Sequence, residues 1–330
     1  MNDVRLSFCI PTYNFGEFIG ETLESIITQA GDEVEIVVGD GASTDNTEEV
    51  VRGYQSSFPK LFYYRFDKKG GIDLDLAKTV EFSRGDYCWL MSSDDVLRPG
   101  AIQRVLNEIK LGQDVYLCNR TVCDRNLRPK RYRKLWLSNR IKDHIFYFSN
   151  KSDLFDYLNA SQSIGAFFAY VSTIVVRRNK WNEIGYDERF ARSNYAHVSR
   201  LFSILQLSGN SLNYIKEQLV LFRGYNDSFQ DNGYANRILI DLDGYRHLGE
   251  CFFPDKDVRN AFKAVMRHEH KWYFLLRLKS EVDDELKWNE IEKSLSYYGY
   301  SSAEMCLINT LGASKIFVRM ARSLKKFLRV

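Results

Sequence analysis

The first 120 residues alternate short apolar runs with amphipathic helical patterns, and this alternation constrains the fold more than any other feature. Residues 6–10 form an apolar run that ends at Pro11, and a helical pattern follows through Phe18, Ile19, Leu23, Ile26 and Ile27. Residues 34–38 stop at Gly39-Asp40-Gly41. Thr44-Asp45-Asn46-Thr47 followed by Glu48-Glu49 then reads as a helix start, with cap residues and acids in the first turn. Residues 61–64, 87–91 and 115–118 continue the strand series, with a helix over 73–82. Strands separated by helices predict an α/β fold of βαβ units, with a mostly parallel sheet and helices on both faces. Further on, residues 166–176 read as a buried strand, 181–190 as a short helix and turn, and 212–222 as a strand. From Gly233 onward helical patterns dominate. One domain is therefore expected over 1–230, divided near residue 120, and a helical region over 231–330.

The composition, 45% hydrophobic and 14% aromatic, belongs to a packed globular chain. A net charge of +3 over 330 residues gives no reason to expect a nucleic-acid partner. Met1-Asn2-Asp3-Val4-Arg5 carries no apolar leader, and no stretch approaches a membrane span, so a cytoplasmic location is expected. Of the six cysteines, Cys9, Cys88 and Cys118 sit in apolar runs and no pair has zinc spacing. His268 and His270 are two apart and would face different directions on a helix.

Ser92-Ser93-Asp94-Asp95 directly follows the apolar run 87–91. Two adjacent carboxylates repel unless a cation or a ring of donors accompanies them. The carboxyl end of a strand in an open α/β sheet is also where ligands bind. A divalent metal carrying a diphosphate would satisfy both carboxylates; a turn with a helix cap before Arg98-Pro99-Gly100 is the alternative. Arg125, Arg128, Lys130, Arg131, Arg133, Lys134, Arg140 and Lys142 form a run without an acid, with Tyr132 and Trp136 interleaved. A solvated loop is the favoured reading, an anionic or saccharide partner the other. After Glu304 there is no acid. Ile316, Phe317, Met320, Leu324, Phe327 and Leu328 share one helical face, and Lys315, Arg319, Arg322, Lys326 and Arg329 the opposite one. Residues 314–330 thus suit a helix lying on an anionic membrane surface, or an ordinary packing helix with a solvated basic face.

Five motifs occur in order: Pro11-Thr12-Tyr13-Asn14, Gly39-Asp40-Gly41-Ala42-Ser43-Thr44-Asp45, Gly70-Gly71-Ile72-Asp73, Ser92-Ser93-Asp94-Asp95 and Arg223-Gly224-Tyr225-Asn226-Asp227-Ser228. Over residues 5–230 their order and spacing closely resemble family 2 glycosyltransferases of the GT-A fold, a Rossmann-like architecture. Residues 7–14, Gly85-Asp86-Tyr87-Cys88-Trp89 and Arg223-Gly224 with Asn226-Asp227-Ser228-Phe229 look most like bacterial O-antigen transferases of the abequosyltransferase type.

The resemblance implies a nucleotide-sugar-binding half over 1–120 and an acceptor half over 121–230. It further implies a CDP-3,6-dideoxyhexose donor and a mannose-containing acceptor on undecaprenyl diphosphate, met by a peripheral protein on the inner face of the bacterial inner membrane. The cofactor would be Mg²⁺ or Mn²⁺, with Asp95 as metal ligand and Asp94 on the ribose, the metal or its water. Asp40 would accept a hydrogen bond from the base, of cytosine or uracil alike. Pro11, Thr12, Tyr13, Asn14 and Ser43 would shape the base and ribose pocket, and Asp73 would either cap its own helix or reach the donor. Arg223 would lie over the diphosphate and neutralise it.

Two departures stand out. Many relatives carry a further Asp where this chain has Ser92. The family's Glu-Asp pair is absent after Gly185-Tyr186-Asp187-Glu188, and His197 stands where the base would be expected. The inverting or retaining outcome is left open. A UDP- or dTDP-sugar transferase and a non-catalytic nucleotide-sugar-binding protein are the competing readings. A dinucleotide oxidoreductase is disfavoured, because Pro11-Thr12-Tyr13-Asn14 stands where the Gly-rich turn would be.

Overall fold

The computed structural model describes residues 4–130, 135–191, 193–224 and 234–312. Four parallel strands begin the sheet: β1 (Leu6–Thr12), β2 (Val34–Asp40), β3 (Leu61–Arg65) and β4 (Tyr87–Leu90), in the order β3-β2-β1-β4. Strands β1, β2 and β4 are buried along their whole length, which explains why their sequences run apolar without alternation. Helices α1 (Gly16–Ile27), α2 (Thr47–Gln55), α3 (Ile72–Glu81) and α4 (Ala101–Ile109) make the crossovers. Phe8 stacks on Trp89 at 5.1 Å. Leu6, Ile10, Ile19, Leu23, Ile26, Val34, Ile36 and Val38 complete a core with no exposure to solvent. Each such side chain contributes roughly 1.5–3 kcal/mol of burial.

Beyond β4 the sheet becomes mixed. It continues through β5 (Val96–Leu97), β6 (Val115–Val122), β7 (His144–Phe146), β8 (Ile174–Arg177) and β9 (Leu212–Phe222). β8 runs antiparallel to both β4 and β6, β6 runs parallel to β9, and β5 and β7 run antiparallel to β9. β5 and β7 are two and three residues long, too short to leave a pattern in the sequence.

The segment 166–176 is not the long strand its apolar character predicts. It folds as two 3₁₀ turns, Ile164–Phe167 and Val171–Thr173, and only Ile174 onward is extended. Phe168 has φ +61°, which breaks an extended path, and its ring lies 5.5 Å from that of Phe202. The helix and turn read over 181–190 are a helix at Arg178–Glu183 and a 3₁₀ turn at Glu188–Phe190. With Arg178–Glu183 as α6, two further helices, α5 (Lys151–Ala160) and α7 (Ala196–Gln206), had not been singled out from the sequence.

By contacts the chain divides into two compact units, Met1–Tyr157 with Gly165–Asn226, and Leu158–Ile164 with Asp227–Val330. In the second unit, helices Tyr234–Phe252, Lys256–Glu269, Trp272–Glu281, Glu285–Tyr297 and Ser302–Gly312 are described. Asp255 and Asp284 cap two of them, each accepting from two backbone N–H groups. None of the described helices is long and apolar enough to cross a membrane. The amphipathic pattern over 314–330, the Asn226-Asp227-Ser228 motif and part of the basic run, including Tyr132, lie outside the described residues.

Candidate active site

Strand register gathers the motifs at one edge of the sheet. Thr12 lies opposite Asp40 and Asp40 opposite Arg65, so the carboxyl ends of β1, β2 and β3 come level, while β4 ends opposite Cys9, three residues earlier along β1. The residues that follow them, including the acidic pair, therefore share the end where open α/β sheets bind ligands.

On the β1–β2 side, two loops latch together. The Ser43 hydroxyl accepts the Asn14 N–H at 2.9 Å, and Asn14 Oδ1 accepts the Thr44 N–H at 2.7 Å. Asn14 and Ala42 adopt φ of +56° and +66°, the left-handed turn conformation the latch requires. Asp45 accepts from the Gly16 N–H at 2.9 Å and from the Thr47 hydroxyl, fixing the first turns of α1 and α2. A Cβ on Gly16 would come within 2.1 Å of Asn46 Oδ1.

Asp40 has no exposure and accepts from the Ser43 N–H at 2.7 Å and the Tyr63 hydroxyl at 2.5 Å. Arg65 lies 3.6 Å from it and donates to the Ser43 carbonyl. Tyr63 and Arg65 were missed; their spacing of two on β3 puts both side chains on one face, beside Asp40. Pro11 pairs in register with Gly39. Thr12 Oγ1 is buried without a hydrogen-bond partner, and the Tyr13 ring lies 3.9 Å below the Lys69 ammonium.

Asp73 is placed elsewhere. Its oxygens accept the N–H groups of Asn194 (2.9 Å) and Ala196 (3.1 Å), so it caps α7, a helix more than a hundred residues away in sequence, rather than its own. Burial raises its pKa against the lowering effect of those two amides. Sequence could not distinguish a local from a distant cap, because the partner amides carry no residue signature.

At the end of β4, Asp94 and Asp95 are 7% and 4% exposed. The Ser172 hydroxyl donates to Asp95 Oδ2 at 2.6 Å and accepts the Ser92 N–H at 3.0 Å, while the Arg223 N–H donates to Asp95 Oδ1 at 3.0 Å. The Ser92 hydroxyl donates to Asp94. Pairings β4–β8 and β5–β9 explain this convergence: Ser172 precedes β8 and Arg223 follows β9. Burial, then the Asp94 charge, pushes the Asp95 carboxyl well above the usual carboxylate range. Ser172 had been hidden in a segment read as strand.

The Arg223 guanidinium is engaged by protein acceptors, donating to the carbonyls of Asp94 (2.9 Å) and Arg125 (2.6 Å) and to Glu21. Its side chain is thus a strut of the acidic loop in this structure. His197, on α7, is 6% exposed, with Nε2 3.1 Å from the Phe168 carbonyl. A carbonyl only accepts, so Nε2 carries the hydrogen and Nδ1 keeps a lone pair, buried and without a partner. Burial lowers its pKa to about 4, so the ring is neutral near pH 7. Trp136 is not presented to solvent: it is 2% exposed and its indole N–H donates to the Cys118 carbonyl at 2.7 Å.

Among the described residues no three His, Cys, Asp or Glu side chains cluster as a complete metal site. Two carboxylates at a strand end nevertheless fit Mg²⁺ or Mn²⁺, which take one or two protein carboxylates and fill the remaining positions with substrate phosphates and water.

Residues 7–185 match the glycosyl transferase family 2 profile, slightly more than half of the chain. The chain belongs to glycosyl transferase family 2. This glycosyltransferase is 36% identical over 276 residues to the abequosyltransferase RfbV of Salmonella typhimurium, a match covering 82% of each chain. Among solved structures it resembles S. aureus TarS 1–349 in complex with UDP-GlcNAc, with a TM-score of 0.64 at 15% identity, covering 89% of this chain and 80% of that one. It also resembles the mannosyltransferase PcManGT of Pyrobaculum calidifontis in complex with GDP-Man and Mn²⁺, with a TM-score of 0.53 at 16% identity, covering 98% of this chain and 85% of that one. These likenesses agree with the GT-A architecture and its helical C-terminal region.

Proposed function

We propose that this glycosyltransferase moves a 3,6-dideoxyhexose such as abequose from its CDP donor to a mannose-containing, undecaprenyl-diphosphate-linked O-antigen intermediate. The observation carrying this reading is the 36% identity to an abequosyltransferase over 82% of both chains. The donor half is 1–120, the acceptor half 121–230, and the helical region follows. The nucleotide lies across the β1–β2 loops. Asp40, already fixed by Ser43 and Tyr63, accepts from the base, and Thr12 Oγ1, buried without a protein partner, turns to the donor. Tyr13, Asn14 and Pro11 wall the pocket.

Asp95 and Asp94 would hold the divalent cation, which would supply charge to neutralise the departing nucleoside diphosphate. Ser172 and the Arg223 N–H orient the Asp95 carboxylate for this task. Arg223 reaches the diphosphate only by exchanging its contact with Glu21. His197 accepts the acceptor hydroxyl proton at Nδ1, the ring nitrogen left with a lone pair. Burial makes it a weak base, so the role requires the acceptor hydroxyl to approach through what is now apolar packing. The protein works in the cytoplasm at the inner membrane face, held to anionic lipid by residues 314–330.

Calorimetric titration with CDP and with UDP, each with and without Mn²⁺, tests the donor. Tighter metal-dependent binding of CDP is expected. A preference for UDP would retain the transferase and reject the dideoxyhexosyl donor.

A further inference from the structure

Strand β6 carries one cation among its buried side chains. Arg120 is 8% exposed, and its guanidinium carbon lies 3.2 Å from the centre of the Tyr170 ring, 3.6 Å from Phe222 and 5.3 Å from Trp136. Tyr170 and Phe222 meet edge to face at 5.6 Å, and Trp136 stacks on Tyr170 at 5.2 Å. The cage is built deliberately into the sheet. The β6–β9 register shifts between Cys118 and Arg120, and such an irregularity re-aims a side chain. Asn119 satisfies the disturbed backbone there, donating to the Lys216 carbonyl at 2.9 Å and accepting the Trp136 N–H at 2.8 Å.

Both walls of the cage continue into donors to Asp95. Tyr170 stands two residues before Ser172, and Phe222 immediately before Arg223. A cation is costly to bury; the rings recover part of that cost, and a nearby anion must recover more.

We propose that Arg120 is a positioning residue of the transfer site: a cation fixed by an aromatic cage whose walls run into the two donors that hold Asp95, which strengthens the hold on a diphosphate and weakens the hold on a free divalent cation. The inference rests on the reading of the pair as the diphosphate site.

The test uses the full-length protein with Arg120→Met, whose side chain fills the cage without charge, and Arg120→Lys, which restores charge. Two titrations are read: Mn²⁺ alone, and CDP at saturating Mn²⁺. For Arg120→Met the account expects Mn²⁺ affinity to rise about tenfold and CDP affinity to fall about tenfold, with Arg120→Lys returning both toward wild type. Thermal melting of Arg120→Met should be unchanged or higher, as when a buried charge yields to a well-packed apolar side chain. A purely structural role would weaken both ligands together. Affinities that move in the same direction, or do not move, overturn the proposal. If Arg120→Met does not fold, Arg120→Gln is read in its place, and failure of both to fold also overturns it. A wild type that binds neither CDP nor UDP with Mn²⁺ would instead overturn the site reading beneath it.

Discussion

Asp95 joins three separate parts of the chain. Its oxygens are held by a hydroxyl before β8 and an amide after β9, while its own position follows β4. Replacing it with alanine would leave two donors unpaired, so Asp95→Asn is the cleaner variant; kcat/KM should fall about 100-fold or more while thermal melting is preserved. His197 permits a pH prediction. Its folded pKa is about 4 against an ordinary 6.5, so the unfolded chain binds the extra proton between those values. Stability is therefore full above pH 6.5 and lost as pH falls toward 4, by on the order of 3 kcal/mol. Denaturant melts of wild type and His197→Gln across that range should show the slope in the former and its loss in the latter. The acidic pair could be read from sequence because its residue type and its place after an apolar run carry the signal. Ser172 and Arg120 could not, because hydroxyls are common and a lone arginine in a strand usually snorkels to solvent.

At the scale of elements, β1, β2 and β4 were legible because burial on both faces leaves continuous apolar runs. The second half of the sheet was legible only where strands are long: β6 and β9 were found, β5 and β7 were not. Residues 166–176 failed for a stated reason, since composition cannot separate a buried strand from aromatic 3₁₀ turns packed in the core, and nothing marks Phe168 for positive φ. Long-range capping was equally silent. Asp73 fixes the first turn of α7 through two amides, so Asp73→Ala should cost about 1 kcal/mol, within a range of roughly 0.5–2, as measured by chemical denaturation. Because α7 carries His197, the same variant should lower turnover as well; a variant destabilised but fully active would separate the cap from the site. Gly16→Ala should be destabilising too, since its Cβ would meet both Asn46 and the backbone N of Thr47 at 2.9 Å.

Over the whole molecule, residues 7–185 carry the family match, with the β1–β2 loops among them. The basic helical pattern over 314–330 underlies the proposal that this segment holds the enzyme at an anionic surface, a task separate from the chemistry of the site. Deleting 314–330 should release the protein from vesicles containing anionic lipid while leaving nucleotide binding intact; unchanged vesicle binding would remove the membrane role. The central claim, that the acidic strand end performs glycosyl transfer from a CDP-dideoxyhexose, is tested most directly by turnover. We would measure CDP release from CDP-abequose with the mannose-containing lipid-linked acceptor, Mn²⁺ present, for wild type and Asp95→Asn. Acceptor-dependent release by the wild type and its loss in the folded variant is the predicted result; equal release by both, or none by the wild type while another nucleotide sugar is consumed, would contradict the account.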